Sequence, residues 1–118
     1  MTREGVQAWL DAYVASWRSY DRAAIADLFS ADASYRYHPY DQPERGRDSI
    51  VDDWLEDPDE PGSWEARYEV LLVDGDRAAA TGETRYADGQ TFSNLFVLEF
   101  DADGRYRSFT EWFMEHPE

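Results

Sequence analysis

Between Trp64 and Met114, long runs rich in Val, Thr, Tyr, Phe and Trp alternate with short polar turns at Asp74-Gly75-Asp76, Asp88-Gly89 and Asp103-Gly104. Asp-Gly supplies the positive-φ conformations of tight hairpins, so these runs read as four antiparallel strands in a meander. At about ten residues each they exceed the usual mean of about 5–6, and strands of that length twist and curl. Residues 91–100 are apolar on both faces, with Phe92, Phe96, Leu98 and Phe100 on one and Leu95 and Val97 on the other. The helices of so short a chain can cover one face only. The outer face is therefore expected to pair with a second copy, giving a homodimer.

Ahead of the meander the periodicity changes from two to between three and four. Val6, Trp9, Leu10, Tyr13, Val14 and Trp17 predict a first helix, capped by Thr2 and ending near Tyr20. Asp21 is placed to cap a short second helix with Ala24, Ile25, Leu28 and Phe29 on one side, which Ser30-Ala31-Asp32 interrupts. Ser34–His38 alternates and stops at Pro39, which predicts a short strand with Tyr35 and Tyr37 on one face. After a Pro- and Gly-containing loop, Ile50, Val51, Trp54 and Leu55 mark a third helix over about Asp48–Glu56, ended by Pro58. The whole chain, 1–118, is thus expected to be one α+β domain: a curved, mostly antiparallel sheet packed against three N-terminal helices.

Composition narrows the chemistry. The 118 residues include neither Cys nor Lys, which removes disulfides, cysteine nucleophiles and side-chain Schiff bases. The formal charge of −15, from 26 acidic and 11 basic residues, disfavours nucleic acid. The chain has no apolar run of about 18 residues and no charged-then-apolar leader, so no membrane partner and a cytoplasmic location are expected. The acids between Asp52 and Glu60 lack the spacing of a calcium loop and read as solvated charge. Neither a metal site nor a cofactor is expected.

The order of elements resembles the nuclear transport factor 2-like superfamily, in particular its SnoaL-like branch. The resemblance is carried by Tyr13-Val14-Ala15, then Asp21, Ile25, Leu28, Phe29, Asp32 and Ala33. It continues through Arg45-Gly46-Arg47-Asp48-Ser49-Ile50 and Gly104 to Glu111-Trp112-Phe113. It implies a sheet wrapped as a cone around a pocket, in a family that includes polyketide cyclases, an epoxide hydrolase, a dehydratase, ketosteroid isomerase and non-catalytic binding proteins. It puts the isomerase's pocket tyrosine at Tyr13, but places its two aspartates at Tyr37 and Phe96. The aspartate that follows two aromatics in cyclase-like members falls at Met114, and the neighbouring Glu115 would face the other side.

Two readings follow. In the first, the chain is a small-molecule pocket protein that acts as a cofactor-independent acid–base enzyme of isomerase, cyclase, dehydratase or hydrolase type on an apolar or aromatic substrate. His38, which titrates near neutrality, and Tyr37 would handle the proton. Tyr13 and Asn94 would orient the ligand, Trp17, Trp54 and Trp112 would form walls, and Tyr35 and Phe96 would complete the aromatic lining. Glu83, Arg85 and Glu111 are expected in cross-strand ion pairs on the exposed face. In the second reading the chain is a non-catalytic ligand-binding or protein-association module, which the loss of the family's acids at Tyr37 and Met114 favours.

Overall fold

A computed structural model describes residues 1–117. The elements are α1 (Arg3–Ser19), α2 (Arg22–Asp27), β1 (Phe29–Arg36), β2 (Glu44–Arg45), α3 (Arg47–Glu56), β3 (Trp64–Asp74), β4 (Arg77–Tyr86), β5 (Thr91–Phe100) and β6 (Tyr106–Glu115). The helix starts follow local chemistry. The Thr2 side chain accepts from the Gly5 amide, and Asp21 accepts from the Ala23 amide, each satisfying a donor that the first helical turn leaves free. The three Asp-Gly turns put Gly75, Gly89 and Gly104 at positive φ.

The six strands form one curved, unclosed sheet in the order β2-β1-β6-β5-β4-β3. All neighbours are antiparallel except β1 and β6. The helices cover the concave face. Val6, Trp9, Leu10 and Tyr13 of α1 and Ile50 and Val51 of α3 pack there against Tyr68, Val70, Phe96, Phe100, Tyr106 and Phe109.

Two features differ from the sequence-based expectation, for the same reason. β1 begins at Phe29 and ends at Arg36, where a strand over Ser34–His38 was expected, and the segment expected to interrupt α2 is already extended. Phe29 pairs with Tyr106 before the register shifts ahead of Ser34. Pairing with a strand more than seventy residues away overrides the local polar signal. In β6 a second shift sets Phe100 against Tyr106 but Glu99 against Ser108, leaving Arg107 as an extra residue. One inserted residue inverts the alternation downstream. Phe109, Glu111 and Phe113 therefore face inward, and Thr110, Trp112 and Met114 face outward.

Candidate functional site

The sheet's curvature leaves a cavity of about 400 Å³ between its concave face, α1, α3 and the loop that follows α3. Its deep end is closed by the protein's own rings. Tyr35 stacks on Phe109 with centroids 4.4 Å apart, Tyr13 stacks on the same ring at 6.0 Å, and Phe96 fills the space between Tyr68 and Phe109. The Tyr13 and Tyr35 hydroxyls bond each other at 3.0 Å. Burial holds both phenols well above their ordinary pKa, so they are neutral hydrogen-bonding groups and not bases.

Next toward the mouth comes a polar relay. Tyr68 Oη lies 2.6 Å from Thr84 Oγ1, which donates to Asn94 Oδ1 at 2.9 Å. Because the threonine proton is used on Asn94, the phenol donates to the threonine. Gly82 makes this approach feasible, since a Cβ there would lie 2.3 Å from Tyr68 Cδ1 and 2.1 Å from the Arg67 carbonyl. Asn94 is only 8% exposed, yet it lines the cavity and its Nδ2 donates to no acceptor among the described residues.

Glu111 lies diagonally from Asn94. Its partner across β5 is Phe96, whereas Asn94 pairs with Phe113, and such diagonal neighbours sit about 7–8 Å apart. The Glu111 carboxylate accepts no hydrogen bond among the described residues and has no cationic partner there. Desolvation by the surrounding rings pushes its pKa up to about 8. A carboxyl so raised gains and loses its proton near neutrality.

The mouth is acidic and aromatic. Tyr37 donates to Asp53 Oδ2 at 2.5 Å, and burial followed by this bond holds the phenol protonated. Asp59 accepts from Trp17 Nε1 at 3.0 Å and from Tyr20 Oη at 3.4 Å, while its own amide donates to the same phenol at 2.9 Å. Tyr20 occupies the left-handed region at the end of α1, with φ of 51°, where glycine is usual. Its two bonds to Asp59 hold that conformation and fasten the loop over the cavity. Trp17 is fixed from behind by Trp64, with stacked rings 3.6 Å apart. Tyr86, Phe92 and Phe113 complete the rim through edge-to-face contacts at 5.9 and 5.6 Å.

Of the residues named from sequence, Tyr13, Trp17, Tyr35, Tyr37, Trp54 and Asn94 line the cavity together. Phe96 lies beneath it as floor, 1% exposed. Two lie elsewhere. His38 is not on the lining: its Nδ1 is 2.8 Å from Asp41 Oδ2 and its ring packs between Tyr40 and Phe113, because β1 ends two residues earlier. Trp112 is on the outer face, 41% exposed, because the extra residue in β6 inverts the phase. For the same reason Met114 points outward and does not occupy a pocket acid's position.

Glu111 was expected in an exposed ion pair and is instead the cavity's interior acid. The readable signal was Phe109 standing between Ser108 and Thr110, which marks the odd positions as apolar. Asp53, Asp57 and Asp59, read as solvated charge, lie on the cavity wall. Glu83 and Arg85 do pair, but along one strand. No group of three or more His, Asp or Glu residues converges on a metal-sized point among the described residues. No helix there is long and apolar enough to cross a membrane.

Solved structures with this fold include a protein provisionally called a ketosteroid isomerase from Kribbella flavida (23% identity, 98% of this chain and 82% of that chain covered, TM-score 0.75). They also include an NTF-2 like protein of unknown function from Burkholderia xenovorans (21% identity, 98% and 87%, TM-score 0.76). A third is an NTF2-like protein of unknown function from Mesorhizobium loti (20% identity, 95% and 93%, TM-score 0.69). No curated protein matches the sequence. A family model described as the SnoaL-like domain matches residues 10–109, most of the chain and every element from α1 to the start of β6, and the protein belongs to that family.

Proposed function

We propose that this protein binds a small apolar or aromatic molecule in the cavity and moves a proton on it without a cofactor, with Glu111 as the proton-carrying group. The observation that carries this reading is Glu111 itself: an unpaired carboxyl inside an aromatic cavity, raised to about 8. A group that titrates there is available at neutral pH both as acid and as base. Asn94 Nδ2, aimed by the Tyr68–Thr84 relay, is the orienting donor for a substrate oxygen or nitrogen. Tyr37 retains a part as the hydrogen-bonded phenol beside the acid, while Trp17 and Trp54 act as walls. His38 is better suited to fixing the loop at Asp41 than to proton transfer.

The test needs no knowledge of the natural substrate. A nitro-substituted benzisoxazole is planar and apolar. When a base removes its ring C–H proton, the nitrogen–oxygen bond breaks and a coloured cyanophenolate leaves. The wild-type protein should accelerate this elimination with a rate that rises with pH through about 8. Glu111→Gln should lose about 10²–10³ of the acceleration. Equal rates for the two proteins would remove Glu111 from the role and favour the alternative, a non-catalytic ligand-binding module. One observation favours that alternative: the deep end is already filled by the stack of Tyr13, Tyr35 and Phe109.

We also propose a homodimer through the outer sheet face. Leu72, Ala79, Val97 and Thr110 form one row across that face, and Thr81, Leu95 and Trp112 form the next. Leu72, Val97, Trp112 and Met114 are all exposed. A contiguous apolar band on a sheet calls for a cover, and a two-fold pairing of the band with itself supplies one.

A further inference from the structure

The acids of the cavity are treated differently from the acids of the surface. On the surface, carboxylates meet arginines: Asp52 with Arg22, Asp27 with Arg105, and Glu99 with Arg107. In the cavity, Asp53 sits next to Asp52 in the chain but accepts from the neutral Tyr37 phenol, and Asp59 accepts from the Trp17 indole and the Tyr20 phenol. None of the eleven arginines and neither histidine lines the cavity, although Asp53, Asp57, Asp59 and Glu111 all do. Neutral donors satisfy lone pairs but leave the charge in place, and a charge in a partly dry site needs a counter-charge.

We infer that the ligand of this cavity is an organic cation, an amine or quaternary ammonium on an apolar or aromatic frame, whose charge rests between Glu111 and the Asp53–Asp59 lip. The inference rests on the reading of the cavity as a ligand site and assigns the ligand's charge. Three further observations support it. The rim carries the rings of Tyr86, Phe92 and Phe113, and aromatic rings attract cations over their faces. The acids are spread around the walls and do not converge on a metal-sized point among the described residues. A broad cation of diffuse charge matches that spacing better than a bare metal ion. The buried Asn94 amide keeps its Nδ2 without an acceptor among the described residues, a second group in the same cavity that a ligand would satisfy.

Every ionisable group that faces Glu111 is either neutral or anionic. Tyr13 on α1, Tyr35 and Tyr37 on β1, Tyr68 on β3, Tyr86 on β4 and Tyr106 on β6 all interact with its charge, and Asp53 and Asp59 close the lip. Nothing in the protein rewards ionisation of Glu111, whereas a bound cation would. By linkage, a cation should bind more tightly as Glu111 loses its proton.

The experiment compares three benzyl compounds that differ in the charge of a tetrahedral head group: benzyltrimethylammonium, dimethylbenzylcarbinol and phenylmethanesulfonate. None titrates in the range used. Binding is followed by NMR shifts of the Trp17 and Trp54 indole N–H signals at pH 6 and pH 9. The ammonium compound should bind at least about tenfold more tightly than the carbinol at pH 9. That is a conservative size for one carboxylate about 6 Å from a cation at an effective dielectric near 20. The margin should shrink at pH 6, and Glu111→Gln should bind the ammonium equally at both pH values. If the carbinol or the sulfonate binds as well as the ammonium, the cavity is a ligand site but the cation inference is overturned. If none of the three moves the indole signals, the cavity reading fails and the inference falls with it.

Discussion

A half-buried, unpaired carboxyl should weaken the fold as it ionises, so Glu111→Gln gives a stability test independent of any ligand. The folded-state pKa of about 8 lies above the ordinary 4.5 of a glutamate carboxyl. The folded protein therefore holds a proton that the unfolded chain has already lost, and stability contributed by the protonated acid is lost as pH rises from about 4.5 to about 8. That gap corresponds to about 5 kcal/mol at 1.36 kcal/mol per pH unit. Water at the cavity mouth screens part of it, so about 2–4 kcal/mol is the expected size. Glutamine mimics the protonated acid. At pH 6, where somewhat more than half of the loss has still to develop, the variant should gain less over wild type than at pH 9, and the two gains should differ by about 1–2 kcal/mol. For a chain of this size that is roughly 4–8 °C in Tm. Urea unfolding followed by tryptophan fluorescence at both pH values measures it, and every other titrating group cancels between the two proteins. A difference between variant and wild type that is the same at pH 6 and pH 9 would refute the reasoning.

The remaining predictions concern the backbone and the outer face. Gly82→Ala drives a methyl group into the Arg67 carbonyl and the Tyr68 ring, and should cost about 3 kcal/mol. It should also broaden the Asn94 side-chain amide signals as the Tyr68–Thr84 bond is lost; an unchanged urea midpoint would show that β3 and β4 can separate without penalty. Light scattering of the wild-type chain should give about twice 13.7 kDa, and Trp112→Asp should return the mass to that of one chain. A monomeric wild type at high salt, where the charge of −15 is screened, would remove the dimer.

What was legible in the sequence was what neighbouring residues decide. Thr2 and Asp21 as caps, and Gly75, Gly89 and Gly104 as turns, depend on bonds that span a few residues. Of the six residues that line the cavity, Tyr13 and Trp17 share one face of α1, and Tyr35 and Tyr37 stand two residues apart beyond the register shift ahead of Ser34, spacings that neighbouring residues decide. The misplaced residues depend on distant partners. His38 looked like the end of a strand whose other edge is set by β6, and Trp112 took the wrong face because one residue is inserted at Arg107. The acidic loop looked solvated because Trp17 and Tyr20, which hold Asp59, precede it by about forty residues.

The inverted phase of β6 also accounts for the chemistry of the site. Without the extra residue, Thr110, Trp112 and Met114 would face the cavity and Glu111 would stand in water on the outer face, where a carboxylate keeps an ordinary pKa. With it, Glu111 is set level with Phe96 on one side, and, as the register of Arg36 against Thr110 continues, beside Tyr37 on the other. Both neighbours withhold water and neither offers positive charge, so the same contacts that bury the acid raise its pKa. The stability that Glu111 removes from the fold is carried by the ring stack beneath it, where Tyr13, Tyr35, Phe96 and Phe109 fill the deep end. On this view the filled floor is part of the site: it leaves the ligand only the upper cavity, where Glu111, Asn94 and the acidic lip are the polar groups within reach.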